Sequence, residues 1–382
     1  MYGLLCAVFC EFLAFVMSTD KLNVTLKTDA FPKFQKPAVV GFFDVDHNRQ
    51  IKPGAGNLKY LFKDGYSALP FDLNHGFETF TEKNRSLDNE EKLNILLQWL
   101  NKESDLKQKI LSEYTEKNPS FTFVSYRGLL TTVMKTPFEY KDGWRICASK
   151  FRNFIFLCAF YTDEKKDLLA KPPTPRQQRF EYWGYKFEQY LLTESPEKYP
   201  NTSKPINSNE EFCVVFHSRL NGNGLLYGAE VDGVDHNDSI HESLNCNVLN
   251  KVKMVELKTS RHIEFEKQKL HHKRYKLLSW WCQTFLVGIE NVTVGFRNDN
   301  GFVEELNSFR VKDLPKMSDN LWSAAGCMRF LDDFLNFVKA TLMNEPDTTL
   351  WCFEWSPRVG HVKRRRLPDT SEYVIVPPWF SL

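Results

Sequence analysis

The sequence predicts an α/β fold in which mixed β-sheets are flanked by helices. Three observations carry that prediction. Apolar, β-favouring runs recur along the chain, several segments repeat apolar residues at helical spacing, and the two kinds interleave with no internal repeat and no long linker.

In chain order, PAVVGFFDVDHNRQI from Pro37 is an extended apolar segment followed by a turn. Residues 55–75 set Tyr60, Phe62, Tyr66, Leu69 and Phe71 among glycines and prolines, which gives strands and loops. The first strong helix spans about 88–114. Asp88 and Asn89 supply caps, Glu90 and Glu91 suit its first turn, and Leu93, Ile95, Leu96, Trp99 and Leu100 form its buried stripe. Strand-like FTFVSYRGLLTTVM (121–134), a turn at Tyr140–Gly143 and an apolar strand from Phe151 to Tyr161 follow. KPPTP (171–175) breaks the chain before a helix over 176–192, whose Phe180, Trp183, Phe187 and Leu191 share one face with Glu188 at its border. A polar loop (194–209) leads to strands within 211–258, a basic helix (263–286), a strand (292–298), a last helix (318–343) and a β-like tail (372–380).

With 50 basic and 48 acidic residues the chain has no global field, so a polyanion must be met by a local patch. The nine cysteines are scattered without a CxxC, which does not support a zinc site or a disulfide framework and fits buried thiols in a reducing compartment, the nucleus or the cytoplasm. Residues 2–17 are an apolar run of signal-peptide length, but it lacks a basic start, contains Glu11 and is short for a membrane span. We therefore expect initiation at Met17, a flexible extension over 1–36, one domain over 37–382, and no membrane association. No Walker-type or GxGxxG loop is present, and the histidines show no metal spacing.

The chemistry concentrates in GAEVDG (228–233) and KVKMVELKT (251–259). Glu230 and Asp232 are two apart, as are Glu256 and Lys258, and on a strand such pairs share a face about 7 Å apart. If the two runs are neighbouring strands, three carboxylates and one ammonium converge. Such carboxylates repel one another unless a cation offsets them, and an all-oxygen set suits Mg²⁺ or Mn²⁺. The alternative is a solvated sheet face with a cross-strand charge pair. The apolar neighbours Leu225, Leu226, Val231, Val255 and Leu257 favour burial, where carboxylates need a partner or a metal. The run Lys267, Lys269, His271, His272, Lys273, Arg274 and Lys276 fits either a solvated helix face or an RNA-phosphate track. Trp280 and Trp281 fit the core. KRRR (363–366) fits a nuclear localisation signal or a plain charged loop.

SYRGLL around Arg127, GYKFE (184–188), GAEVD (228–232), VELKT (255–259), KLLSWWCQTFL (276–286) and GFRN (295–298) occur in an order that resembles the DXO family of mRNA decapping exoribonucleases, from about Val40 to the C-terminus. The resemblance implies a core like that of the PD-(D/E)xK nucleases. It implies that Glu188, Glu230, Asp232, Glu256 and the Leu257 carbonyl bind divalent metal, two ions of Mg²⁺ or Mn²⁺. Lys258 and Gln283 would orient water or the scissile phosphate, and Arg127 would contact the RNA. The implied activity is removal of incomplete, unmethylated or NAD caps and 5′-triphosphate, with 5′→3′ degradation to follow. The competing expectation is a 5′-end-binding subunit that stabilises a partner 5′→3′ exoribonuclease, which would show itself by a missing carboxylate.

Overall fold

Most of the apolar runs become strands. The computed structural model describes residues 20–25, 30–83, 91–113 and 120–382, so the expected start at Met17 and the apolar run before it lie outside the described residues. β1 (Lys21–Asn23), β2 (Ala38–Val45), β3 (Ile51–Lys52), β4 (Tyr60–Leu61) and β5 (Phe71–Asp72) precede α1 (Asn94–Lys102) and α2 (Ser104–Ser112). β6 (Thr122–Tyr126) runs directly into α3 (Arg127–Lys135), and the hairpin β7 (Trp144–Phe151) and β8 (Phe154–Phe160) leads to α4 (Asp163–Leu169) and α5 (Pro175–Leu191). After β9 (Leu192–Thr193) come β10 (Glu211–Leu220), β11 (Asn223–Glu230), β12 (Gly233–Asp235), α6 (Cys246–Leu249) and β13 (Lys253–Arg261). α7 (Glu266–His271) continues through a π-helical turn (His272–Lys276) into α8 (Leu277–Val287), which Gly288 stops at φ +72°. β14 (Asn291–Arg297), β15 (Phe302–Arg310), α9 (Leu314–Met317), α10 (Ala324–Leu342), β16 (Leu350–Trp355) and β17 (His361–Arg366) complete the chain.

Two mixed sheets result. The larger has the order β1-β17-β16-β7-β8-β6-β11-β10-β2-β3 and the smaller β5-β15-β14-β13-β12-β4-β9. The period-two alternation of side chains gives the larger sheet two buried faces. Val214, Phe216, Leu225 and Tyr227 face one cluster with α8, α10 and the smaller sheet's Val292 and Val294. Cys213, Val215 and Leu226, one residue out of phase, face α1 through Leu96 and Leu100. A third cluster packs Trp183 and Phe187 of α5 against Val255 and Leu257 of β13.

The position of α5 follows from its ends and from one glycine. Thr174 and Gln177 form a capping box, with Pro175 in the first turn. A Cβ on Gly295 would lie 2.5 Å from the Phe187 ring, so only glycine lets α5 settle this close to β14.

Several expectations change. Residues 121–134 are not one strand: Leu129, Leu130, Val133 and Met134 recur at helical spacing, all are buried, and the chain coils at Arg127. The first helix divides at Glu103, and the expected caps Asp88 and Asn89 lie outside the described residues. The segment before 37 is partly built into the sheet, because β1 pairs with β17 and Phe34 bridges Leu220. KRRR is no loop: β17 is bonded on both sides, and Arg364 Nη1 donates to Thr341 Oγ1 at 2.8 Å. The tail forms no strand, but Ile375 and Phe380 are buried against the cluster on α1. β7 and β15 were not legible as separate strands, and β15 is mostly exposed. Trp280 and Trp281 are core residues, as expected. The described cysteines are free thiols, most of them buried, while Cys6 and Cys10 lie outside the described residues.

Gly295→Ala should cost about 1–3 kcal/mol through overpacking against Phe187. Urea unfolding measures it, and an unchanged midpoint would show that α5 is free to withdraw.

Candidate active site

The chain crosses between the two sheets in two residues. β11 ends at Glu230 in the larger sheet, Val231 and Asp232 form the crossing, and β12 begins at Gly233 in the smaller one. The expectation that the 230/232 and 256/258 runs lie on neighbouring strands is therefore corrected. β13 pairs with β12 and β14, not with β11, and the two acidic pairs meet across the sheet junction.

Glu256 and Lys258 share one face of β13, as their spacing requires. Glu256 Oε1 lies 2.5 Å from Lys258 Nζ, and Oε2 accepts from Arg127 Nη1 at 3.3 Å. Arg127 is the first residue of α3, so its guanidinium reaches the smaller sheet from the larger one. Leu257 points the other way into the third cluster, and its backbone N–H donates to Asp232 Oδ2 at 2.6 Å. Glu188, one residue after Phe187 on α5, approaches the same carboxylates. A cleft of about 360 Å³ opens onto Glu188, Glu230 and Asp232, with Lys59, Tyr185 and Tyr199 also on its wall. Gln283 is half-buried on α8 and bonds to no described residue.

The electrostatics divide the cluster. Burial pushes Glu256 up, but Lys258 and Arg127 more than offset it and hold it below the usual range. Lys258 is held above its usual value, because Glu256 and Asp232 outweigh burial. That triad is charged. The carboxylates toward the cleft behave oppositely. Burial, then Glu211 and Asp232, raise Glu230 to about 7. Burial and Glu256 raise Asp232 to about 6. Burial, Asp232 and Glu230 push Glu188 well up, against a partial offset from Lys59 and Lys258.

Four carboxylates thus face three cations, Arg127 and Lys258, both engaged by Glu256, and Lys59 on the cleft wall, and the deficit is on the cleft side. One or two divalent ions fit that deficit, and a set of carboxylate oxygens is the donor chemistry that Mg²⁺ and Mn²⁺ prefer. Glu256 Oε1 adds a second fit. It is buried and, although in ionic contact with Lys258, has no aligned hydrogen bond, so a lone pair remains free. Among the described residues no three acidic, histidine or cysteine side chains already close around one point as a metal cage.

Two contributors were not predicted. Glu211 at the start of β10 acts on Glu230, and it is held by Arg49 Nη1 at 2.8 Å and Lys83 Nζ at 3.1 Å, both of which also bind Glu91. Lys59 stands on the cleft wall near Glu188. Neither has a sequence signal, since both come to the site from distant segments without motif spacing.

Arg127→Met leaves buried Glu256 with one cation and should cost about 3 kcal/mol, the lower end for a broken buried pair. Chemical unfolding reads this, and a loss below about 1 kcal/mol would mean that Lys258 alone suffices. A pH dependence follows too. The unfolded chain releases these protons near pH 4, whereas the folded chain keeps them to about pH 6 at Asp232 and about pH 7 at Glu230. Between about pH 4 and 7 the folded state binds more protons, so the cluster's contribution to stability falls as pH rises. Added Mn²⁺ should therefore raise the melting temperature more near pH 7.5 than near pH 5. A shift that is equal or larger at the lower pH would contradict the assignment.

Comparison with known proteins identifies the family. Residues 35–381 match the family model of the RAI1-like PD-(D/E)XK nucleases. The chain is 31% identical over 380 residues to the decapping and exoribonuclease protein of Xenopus laevis, covering 97% of this chain and 91% of that protein. It is 32% identical over 366 residues to the Homo sapiens protein of the same name, covering 93% and 87%. The fold superposes on Candida albicans Rai1, solved in complex with pU5-Mn²⁺, with a TM-score of 0.75 at 19% identity over 91% of this chain and 93% of that one. It superposes equally on Scheffersomyces stipitis Rai1, solved with (3′-NADP)⁺ and a calcium ion, with a TM-score of 0.74 at 21% identity over 91% and 93%. With the family model covering nearly the whole chain, and curated relatives above 30% identity along their length, this protein belongs to the family of RAI1-like PD-(D/E)XK decapping nucleases.

Proposed function

We propose that this protein is a divalent-metal-dependent hydrolase of RNA 5′ ends, acting on incomplete, unmethylated or NAD caps and on 5′-triphosphate, with 5′→3′ exoribonuclease activity on the same centre. The observation that carries the reading is the division of charge at the sheet junction. A charged Lys258–Glu256–Arg127 triad stands behind carboxylates that outnumber the remaining cation, Lys59, and open onto the cleft. Relatives that bear the decapping name, and the neighbours solved with pU5-Mn²⁺ and (3′-NADP)⁺, supply the substrate class.

Glu188, Glu230, Asp232, Glu256 and the Leu257 carbonyl would hold two ions of Mg²⁺ or Mn²⁺. When bound, the ions polarise the phosphoryl oxygen, activate water and neutralise the leaving oxygen. The chain's own part is positioning and charge. Glu256 keeps Lys258 protonated, so its ammonium is a fixed cation for an anionic phosphate as negative charge develops there. Arg127 holds Glu256 through one nitrogen and has further N–H groups for a substrate phosphate. Gln283, without a described partner, has an amide available to orient water or the phosphate. Water adds to phosphorus and a P–O bond breaks, so caps, triphosphates and the first phosphodiester are variants of one reaction. The subunit alternative requires loss of a carboxylate, and none is lost. The reading takes the nucleus or the cytoplasm as the compartment, since RNA 5′ ends are the proposed substrate; among the described residues no helix is long and apolar enough to cross a membrane.

The test presents RNAs ending in 5′-monophosphate, triphosphate, unmethylated cap, methylated cap or NAD, with Mg²⁺ or Mn²⁺. Glu230→Ala with Asp232→Ala should lose at least about 10²-fold in release, the scale of removing preorganised electrostatic groups. Circular dichroism and RNA binding should be retained. Turnover that survives the double substitution would place the metal site elsewhere.

A further inference from the structure

Residues 194–210, the connection from β9 to β10, carry none of the candidate metal ligands. The connection is far longer than the roughly 4–6 residues that usually join two elements, and an ordered loop of that length is usually a binding loop. It is fastened along its length. Lys204 Nζ pairs with Glu194 Oε1 at 2.8 Å. The Ile206 carbonyl accepts from the Thr81 N–H at 2.9 Å, and the Ser208 N–H donates to the Thr81 carbonyl at 3.0 Å. From α5, Lys186, only 1% exposed, donates its Nζ to the Thr202 carbonyl, and Gln189 Nε2 donates to the Lys204 carbonyl at 2.8 Å. Lys186 and Gln189 flank Glu188 in the chain, so the helix that brings a carboxylate to the site also registers this loop against it.

The loop presents Tyr199, which is 80% exposed. Its ring contact among the described residues is with Phe62, T-shaped at 5.3 Å between centroids and 61°. An edge contact of this kind covers at most one face of a ring, which leaves the other for a flat partner. A ring this open gains little from burial, so packing does not account for it. It nevertheless lines the cleft that opens onto Glu188, Glu230 and Asp232. Lys59 and Lys198 line the same cleft, both are exposed, and neither forms an ion pair with a described residue. One cleft therefore combines carboxylates suited to metal, ammonium groups outside any ion pair, and an open ring on a fastened loop. A capped 5′ end presents the matching groups, a phosphorus to be attacked, a linking pyrophosphate and a flat heteroaromatic ring. A 5′-triphosphate lacks the ring.

We propose that Tyr199 selects capped 5′ ends, stacking its free face on the terminal heteroaromatic ring of the cap while Lys59 and Lys198 meet the linking phosphates. The proposal rests on the reading of the protein as an RNA 5′-end hydrolase. The ring is the purine of a guanosine cap or the pyridine of an NAD cap, since an aromatic face accepts any flat π-system without reading its edge. Preference for a cap over a triphosphate accordingly resides in the loop, and the metal centre is common to both.

The test compares kcat/KM on RNAs of one body sequence that end in triphosphate, an unmethylated guanosine cap or an NAD cap, with the full chain and Mg²⁺. Tyr199→Ala should lower the capped-to-triphosphate ratio about tenfold, the scale of losing one base–aromatic stack, and Tyr199→Phe should restore it. The exposed position keeps folding out of the comparison. In the Asp232→Ala background, which blocks turnover, Tyr199→Ala should weaken binding of the capped RNAs about tenfold and that of the triphosphate RNA much less. A loss confined to one cap would support the stack and assign it to that cap's ring. An unchanged ratio with active enzyme, or a wild type that cleaves only the triphosphate, would overturn the assignment of Tyr199 alone. An equal loss on the triphosphate RNA would overturn it too, by making the ring part of the cleft's general shape. A wild-type protein that hydrolyses none of the three RNAs would instead overturn the hydrolase reading beneath it.

Discussion

One buried carboxylate constrains the centre of this molecule. Glu256 is almost fully removed from solvent, and it can be charged there only because Lys258 and Arg127 stand on either oxygen. A buried charge without partners is prohibitively costly, whereas a paired and bonded one is tolerated. Lys258 comes from the same strand, but Arg127 comes from the end of β6 in the other sheet. The ion pair therefore fixes the two sheets in register at the point where the chain crosses between them. Asp232 makes the same connection in backbone form, taking the Leu257 N–H from within the crossing.

The arrangement also sets what the cleft can do. Because Arg127 and Lys258 are engaged by Glu256, they offset Glu230 only in part, as Lys59 and Lys258 do Glu188, and burial keeps both carboxyls above the usual range. In the proposed reading a divalent ion would displace protons from these carboxyls, and the cationic triad would be left to face an incoming phosphate.

Much of this was legible in the sequence, because its signals are local. The i, i+2 spacing of Glu256 and Lys258 put both on one face, the helical stripe of Phe180, Trp183 and Phe187 gave α5, and Glu188 at its border reached the site. What was not legible depends on contacts distant in sequence. Nothing in GAEVDG says that the chain changes sheets between Glu230 and Gly233, so the two acidic pairs read as neighbouring strands. Nothing around Glu211 marks it as the carboxylate that repels Glu230, nor Arg49 and Lys83 as the cations that hold it. The strand read through 121–134 failed differently: TFVSY is β-favouring and the next residues are equally apolar, so the change of period at Arg127 was the only clue. KRRR reads as a localisation signal or a plain charged loop because its charge is conspicuous, yet consecutive basic residues form a strand here, with β16 pairing the backbone of all four and β1 that of Lys363.

In the proposed reading, metal held by Glu188, Glu230, Asp232 and Glu256 meets the phosphate that is cleaved. The most direct measurement replaces a non-bridging oxygen of the scissile phosphate by sulphur and compares hydrolysis in Mg²⁺ and in Mn²⁺. Sulphur binds Mg²⁺ poorly and Mn²⁺ better, following ligand softness. The rate should fall sharply in Mg²⁺ for one stereoisomer and recover in Mn²⁺, with the recovery lost in Asp232→Ala. An equal thio effect in both metals, or hydrolysis that persists in a chelator, would contradict it.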